Sequence, residues 1–183
     1  MEKNKRTIGW REWLALPDLG IQAIKAKIDT GARTSALHTF GIEPFEQNGI
    51  LKIKFGVHPL QRRKDVEVYC IADVVDRRRV TSSDGQSEMR YLIATSMVLG
   101  GFKWPVELTL TNRKSMRFRM LLGRAAISKH LVVDPAKSYL TGRSLSGQYP
   151  KPKKKKLKRL SLKLSGVSKK NAKPGRTRTK GKV

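Results

Sequence analysis

Through the first 125 residues of this chain, apolar and polar side chains alternate with a period of two. Ile24, Ala26 and Ile28 alternate with Lys25 and Lys27, and Leu51, Ile53, Phe55 and Val57 with Lys52 and Lys54. Val106, Leu108 and Leu110 alternate with Glu107 and Thr109, and Met116, Phe118 and Met120 with Arg117 and Arg119. Successive side chains of a strand point to opposite faces, so each segment reads as a strand with one face in a core and one in water. Asn48-Gly49, Asp84-Gly85 and the stretch from Asn112 to Ser115 fall between such segments and suit tight hairpin turns. The chain is therefore expected to be mostly β and antiparallel. One short helix is expected from Arg124 to Leu131, where Ala125, Ala126 and Ile127 follow Gly123, before Val132-Val133-Asp134-Pro135 turns extended again.

The 183 residues leave room for one domain and a tail, and charge marks the division. Of a net charge of +26, residues 151–183 contribute 15 Lys and Arg with no Asp or Glu. The expected organisation is a β domain over residues 1–148 and a polybasic, disordered tail over 149–183. Within the tail Leu157, Leu160, Leu164 and Val167 recur at helical spacing, too briefly for a stable isolated helix. Lys151, Lys153, Lys154, Lys155, Lys156, Lys158 and Arg159 form a phosphate-gripping run that suits RNA or a ribosome; a solvated solubility tail is the competing reading. A membrane surface fits less well, since the tail has few leucines and no aromatic residue beyond Tyr149. The N-terminal residues have no signal-peptide apolar stretch, and the single cysteine, Cys70, alternates with Val66 and Val68 as a strand thiol would. These features point to a cytosolic protein.

Two short motifs stand apart from the alternation. Asp29-Thr30-Gly31-Ala32 closes the first apolar run, and Leu121-Leu122-Gly123-Arg124 closes a second one far downstream. Asp, Thr and Gly are ordinary turn residues, so the triplet alone is weak. Here it follows a strand, and Arg33-Thr34-Ser35-Ala36-Leu37 continues it with mostly small residues. The chain resembles the retropepsin-like aspartic peptidases, and more closely their bacterial branch often labelled ATP-dependent zinc proteases. The matching stretches are Ala26 to His38, Ser82-Ser83-Asp84-Gly85, Leu108 to Arg113, Met120 to Arg124 and Val133-Asp134-Pro135, spread over roughly residues 8 to 143.

The resemblance implies a closed retropepsin-like β-barrel with Asp29 as the catalytic aspartate, Thr30 bracing the site across a subunit interface, and Gly31 admitting the substrate backbone. Ala32 would line the substrate with the flap residues Ser82, Ser83, Asp84 and Gly85, although the flap segment also reads as a plain surface hairpin. Gly123 and Arg124 would support the site. Such chemistry needs two carboxylates sharing one proton, and the chain has one Asp-Thr-Gly; the second must come from a two-fold partner, so a homodimer is required. The resemblance also implies genomic company with ATP-grasp glutamate ligases, and through it an isopeptide or polyglutamate tail on a ribosomal protein as substrate.

The chain departs from the viral pattern in two places. The distance from Asp29 to Gly123 is longer, implying inserted residues around Val57 to Asp65. Where viral enzymes carry an acid that pairs with the downstream arginine, this chain has Arg33, which leaves Arg124 to Asp73, Asp76 or Asp134. No metal and no cofactor is expected. His38, His58 and His130 lack ligand spacing, and Gly100-Gly101 lacks the lysine and hydroxyl of a phosphate cradle and reads as a hairpin turn. Cys70 has no nucleophile signature. Trp10, Trp13 and Trp104 are expected in the core. The leading reading is a cytosolic homodimeric aspartic endopeptidase; the rival is a non-catalytic nucleic-acid or ribosome-binding module on the same fold.

Overall fold

The computed structural model describes residues 5–81, 85–112 and 117–151. Eleven strands make up most of it: β1 (Arg6–Gly9), β2 (Arg11–Leu16), β3 (Ile21–Asp29), β4 (Ser35–His38), β5 (Phe40–Gln47), β6 (Ile50–Val57), β7 (Val68–Thr81), β8 (Ser87–Leu99), β9 (Phe102–Thr111), β10 (Met120–Gly123) and β11 (Leu131–Asp134). One helical turn, α1 (Arg124–Ile127), follows β10. Nine strands hydrogen-bond in the order β2-β3-β10-β4-β9-β8-β7-β6-β5, and β2 also meets β8 through Ala15 and Val98. That last pairing closes β2, β3, β10, β4, β9 and β8 into a ring, while β7, β6 and β5 continue outward to a free edge. The remaining two strands, β1 and β11, pair with each other in parallel.

The expected alternation is realised where one face is buried. On β3 the side chains of Ile24, Ala26 and Ile28 are buried, and Lys25, Lys27 and Asp29 face away from them. Leu14, Leu16, Leu108, Leu110, Met120 and Leu122 fill the same core. Each fully buried aliphatic side chain of this size contributes about 1.5–3 kcal/mol, so the core holds the ring together. Asn48 and Gly49 take φ of 53° and 70° between β5 and β6, as a two-residue hairpin turn twisted like its strands requires. Gly100 and Gly101 do the same between β8 and β9, with φ of 59° and 86°.

Several expectations are corrected. The alternation from Met116 to Met120 is not a strand over its described part: residues 117–119 form a bend, and β10 begins only at Met120. Phe118 is nevertheless buried, so at that position the pattern reports burial without pairing. The helix ends at Ile127, because Leu131 already pairs with Arg6 as the first residue of β11. Leu51 is 45% exposed, near the turn that reverses the edge hairpin. Of the three tryptophans only Trp104 is in the core, its indole N–H donating to the Ala126 carbonyl at 3.0 Å. Trp13 is half-buried on the outer face of β2 and Trp10 is half-buried in the bend before it, with Arg11 4.5 Å over the Trp10 ring and Lys25 5.0 Å over the Trp13 ring.

Glu12 is fully buried and accepts hydrogen bonds from the backbone N–H groups of Gly9 at 2.7 Å and Leu140 at 2.8 Å, and from the Thr141 hydroxyl at 2.8 Å. One carboxylate thus ties the first strands to the segment after β11. The Tyr149 hydroxyl accepts from the Ala23 N–H at 3.4 Å, and Arg63 donates to the Pro150 carbonyl at 2.9 Å, so contacts with the β domain continue to Pro150. The basic residues Lys153, Lys154, Lys155, Lys156, Lys158 and Arg159 lie outside the described residues; Lys151 is exposed. Among the described residues no helix is long and apolar enough to cross a membrane.

Candidate active site

The two sequence motifs meet on adjoining parallel strands. In the β3–β10 register Ile28 lies beside Leu122 and Asp29 beside Gly123. β10 also pairs with β4, with Leu121 opposite Ala36, so the segment that follows Asp29 folds back along the other side of the second motif. Gly123 has no room for a side chain: a Cβ there would stand 2.6 Å from the carbonyl carbon and oxygen of Thr34. Its N–H donates to the Ser35 hydroxyl at 3.1 Å, and the Ser35 carbonyl accepts from the Thr109 hydroxyl at 3.0 Å. The loop carrying Asp29 is thereby fastened to three strands.

Within the loop, the Ala32 N–H points to Asp29, 3.4 Å from Oδ1 and 3.3 Å from the backbone carbonyl. The Arg124 and Ala125 N–H groups donate to the carbonyls of Ala32 and Arg33 at 2.9 and 3.1 Å. The Arg124 guanidinium donates to the Gly31 carbonyl at 3.1 Å. None of the acids considered for Arg124 reaches it: Asp73 is held by Lys52, Asp76 by Arg78 and Asp134 by Lys137, at 2.6, 2.7 and 3.4 Å. A backbone carbonyl takes the place of the acid. Gly31 itself is open, since a Cβ would lie an ordinary 3.5 Å from Asp29 Oδ1. Thr30 is exposed beside it.

Asp29 opens into a cavity of about 980 Å³ lined also by Gly31, Ala32 and Leu121 on one side and by Val80 and Thr81 on the other. Val80 and Thr81 end β7 opposite Glu88 and Ser87 of β8, with the Thr81 and Ser87 hydroxyls 2.7 Å apart. The β7–β8 hairpin therefore reaches the cavity with the base of its tip. Gly85 is exposed at φ 81°, and Ser82, Ser83 and Asp84 lie outside the described residues.

Arginines supply the cavity's charge: Arg33, Arg78, Arg79 and Arg90 all line it. Arg90 is buried and held by Glu88 at 2.5 Å, a carboxylate that also accepts from the Thr111 hydroxyl. Arg78 is shared between Asp76 at 2.7 Å and Glu107 at 3.6 Å. Among the described residues Arg33 and Arg79 have no acidic partner, and they leave the cleft positive. Arg78, Arg79 and Arg90 belong to neither sequence motif. The signal for the first two is the Arg77-Arg78-Arg79 run on a strand leading into the hairpin next to the motifs.

A ring of strands that sets an Asp-Thr-Gly loop beside a Gly-Arg strand end, with a long hairpin reaching the same cavity, defines the retropepsin-like aspartic peptidase class. Comparison with known families agrees: the model of the RimB-like family, described as retropepsin-like aspartic endopeptidase RimB, matches residues 7–144, and the chain belongs to that family. It is 51% identical over 142 residues to a protein of Shewanella pealeana named probable alpha-L-glutamate ligase, covering 78% of this chain and 31% of that protein. A protein of the same name from Parasynechococcus marenigrum is 46% identical over 139 residues, covering 76% of this chain and 30% of that protein. The chain thus spans about a third of the length of these curated relatives. A structural-genomics crystal structure of a Legionella pneumophila protein of unknown function superposes with a TM-score of 0.64 at 28% identity, covering 76% of this chain and 99% of that one.

Proposed function

We propose that this protein is a homodimeric aspartic endopeptidase that hydrolyses peptide or isopeptide bonds in glutamate-rich chains, with Asp29 and its two-fold copy as the reacting pair. The observation that carries this reading is the placement of Asp29 beside Gly123 at the floor of a cleft whose unpaired side chains are arginines. One carboxylate, unprotonated, takes a proton from water as its oxygen attacks the scissile carbonyl carbon; the other, protonated, gives its proton to the carbonyl oxygen. As the diol collapses and its C–N bond breaks, the carboxyl that took the water proton gives it to the departing nitrogen and the other carboxylate takes one hydroxyl proton, so the products are a carboxylic acid and an amine and the pair again holds one proton. Gly31 leaves the approach to Asp29 open, and Arg124 holds the Gly31 carbonyl in place.

Two facts favour a glutamate-rich substrate. Proteins that share this domain at about half identity are named glutamate ligases, and a positive cleft attracts and orients carboxylates. The ligase name belongs to chains about three times as long, so it bears on the kind of polymer handled and not on the reaction of this domain. A glutamate tail on a ribosomal protein is such a polymer, and the cytosolic basic tail from Lys151 onward would hold the enzyme near RNA.

The test is hydrolysis of a glutamate-rich peptide by the full chain and by Asp29→Asn. The isosteric amide can neither hold the shared proton nor act as base, so turnover should vanish while fold and dimer mass persist. Equal rates for the two proteins would remove Asp29 from the chemistry. A protein that binds RNA and cleaves nothing would establish the rival reading of a non-catalytic module.

A further inference from the structure

A second basic groove lies on the same strand as Asp29, and nothing in the cleft described above accounts for it. It encloses about 490 Å³ and is lined by Arg11, Lys25, Arg62 and Arg117, with Trp10 and Phe118 at its base. Among the described residues none of the four cations is in an ion pair. Three come from elements brought together by the fold. Arg11 and Lys25 face outward from β2 and β3, and Arg62, at φ 59°, sits in the loop between β6 and β7. Gln61 of that loop donates to the Arg117 carbonyl at 2.8 Å and fixes the opposite wall. Like charges are held together here with no acid to neutralise them, and such an arrangement is stabilised by an anionic partner.

The groove and the cleft are lined by residues of the same strand, β3. Lys25, Lys27 and Asp29 are alternate residues on one face of the strand, and Lys27 lies opposite Arg11 in the β2 register. At the usual rise of a strand Lys25 stands about 13 Å from Asp29, the span of about four residues of an extended peptide. Three of the rings nearby already carry a cation. Arg11 lies 4.5 Å over Trp10, Lys25 5.0 Å over Trp13 and Arg143 4.5 Å over Tyr139. The surface therefore offers four cations among rings that already carry cations of their own, which favours carboxylates over stacked bases.

We propose that this groove is a remote subsite that binds acidic side chains about four residues from the cleaved bond, so that the enzyme measures the length of an acidic tract and releases short remnants. The proposal rests on the peptidase reading above for its cleavage step but not for its binding step. Glutamate oligomers of three and eight residues serve as probes with the full chain. In the native protein kcat/KM should be at least about tenfold higher for the octamer, through KM. In Lys25→Gln/Arg117→Gln that advantage should fall to about unity, whereas Lys54→Gln, which removes a charge on the distant strand β6, should keep it. Anisotropy of labelled octaglutamate on Asp29→Asn, with and without the two groove substitutions, separates binding from turnover. Loss of octaglutamate affinity with the groove charges supports the subsite even if the native enzyme cleaves neither oligomer, a result that would sink the peptidase reading alone. The subsite is overturned if octaglutamate affinity ignores the groove substitutions, if the length advantage survives them, or if labelled RNA loses affinity while octaglutamate does not.

Discussion

Gly123 lies directly beside Asp29 on adjoining parallel strands, and its missing side chain is what lets the Thr34 carbonyl pass at the distance found there. Gly123→Ala would force a Cβ to within 2.6 Å of the Thr34 carbonyl, whose neighbours on either side, the Arg33 and Ser35 carbonyls, are held by hydrogen bonds from Ala125 and Thr109. Overpacking of this kind costs about 1–3 kcal/mol, so urea unfolding should show a loss in that range, together with lost activity. A variant as stable and active as the native protein would mean that the Asp29 loop does not need this close approach.

Glu12→Ala should be among the most destabilising single substitutions outside the apolar core. It leaves the N–H groups of Gly9 and Leu140 and the hydroxyl of Thr141 without their acceptor, and bonds to a charged group are worth about 1.5–3 kcal/mol each before relaxation. Chemical denaturation should show a loss of at least about 2 kcal/mol. A loss below about 0.5 kcal/mol would show that water readily replaces the carboxylate.

Burial pushes the Cys70 thiol up to about 11, whereas an exposed thiol in the unfolded chain titrates near 9. The folded state therefore keeps its proton where the unfolded state has lost it. The stability that Cys70 confers is complete below pH 9 and declines as pH rises from 9 to 11. Cys70→Ala should remove this part of the alkaline decline in a pH series of melting midpoints, and the native thiol should resist alkylation at pH 8 until the chain unfolds. Rapid labelling of the folded protein would contradict the burial.

Truncation after Lys151 should leave the β domain folded, because Tyr149 and Pro150, which bond to Ala23 and Arg63, are retained. If about six of the removed charges engage RNA phosphates, log affinity for single-stranded RNA should fall with log salt at a slope of about −4, and truncation should abolish most of it. An unchanged slope would shift the contact to the β domain.

Much of the fold was legible because its strands bury one face. β3 and β9 show this plainly, with Ile24, Ala26 and Ile28, and then Val106, Leu108 and Leu110, inside. Alternation says nothing about neighbours, so the parallel pairings of β3 with β10, β4 with β9 and β1 with β11 were not readable. Phe118 shows the converse failure, a buried residue on a bend that alternates like a strand. At the site, Asp29 and Gly123 announced themselves by residue type. The partner of Arg124 could not, since it is a carbonyl that any residue would supply. Trp10 and Trp13 were misplaced because aromatic composition does not distinguish a core ring from one that carries a cation on its outer face.

The parallel pairing of β3 with β10 also governs when the site can exist. Asp29 is positioned by Gly123, 94 residues later, and the whole segment between them must be made before the two can lie side by side. Contacts so far apart in sequence form late in folding, because closing the long loop costs entropy before it gains any bond. During synthesis the aspartate emerges early and remains inert until the second motif has left the ribosome. A chain interrupted before Leu122 would carry the whole Asp-Thr-Gly signature and no arranged site, so synthesis itself delays the assembly of the site.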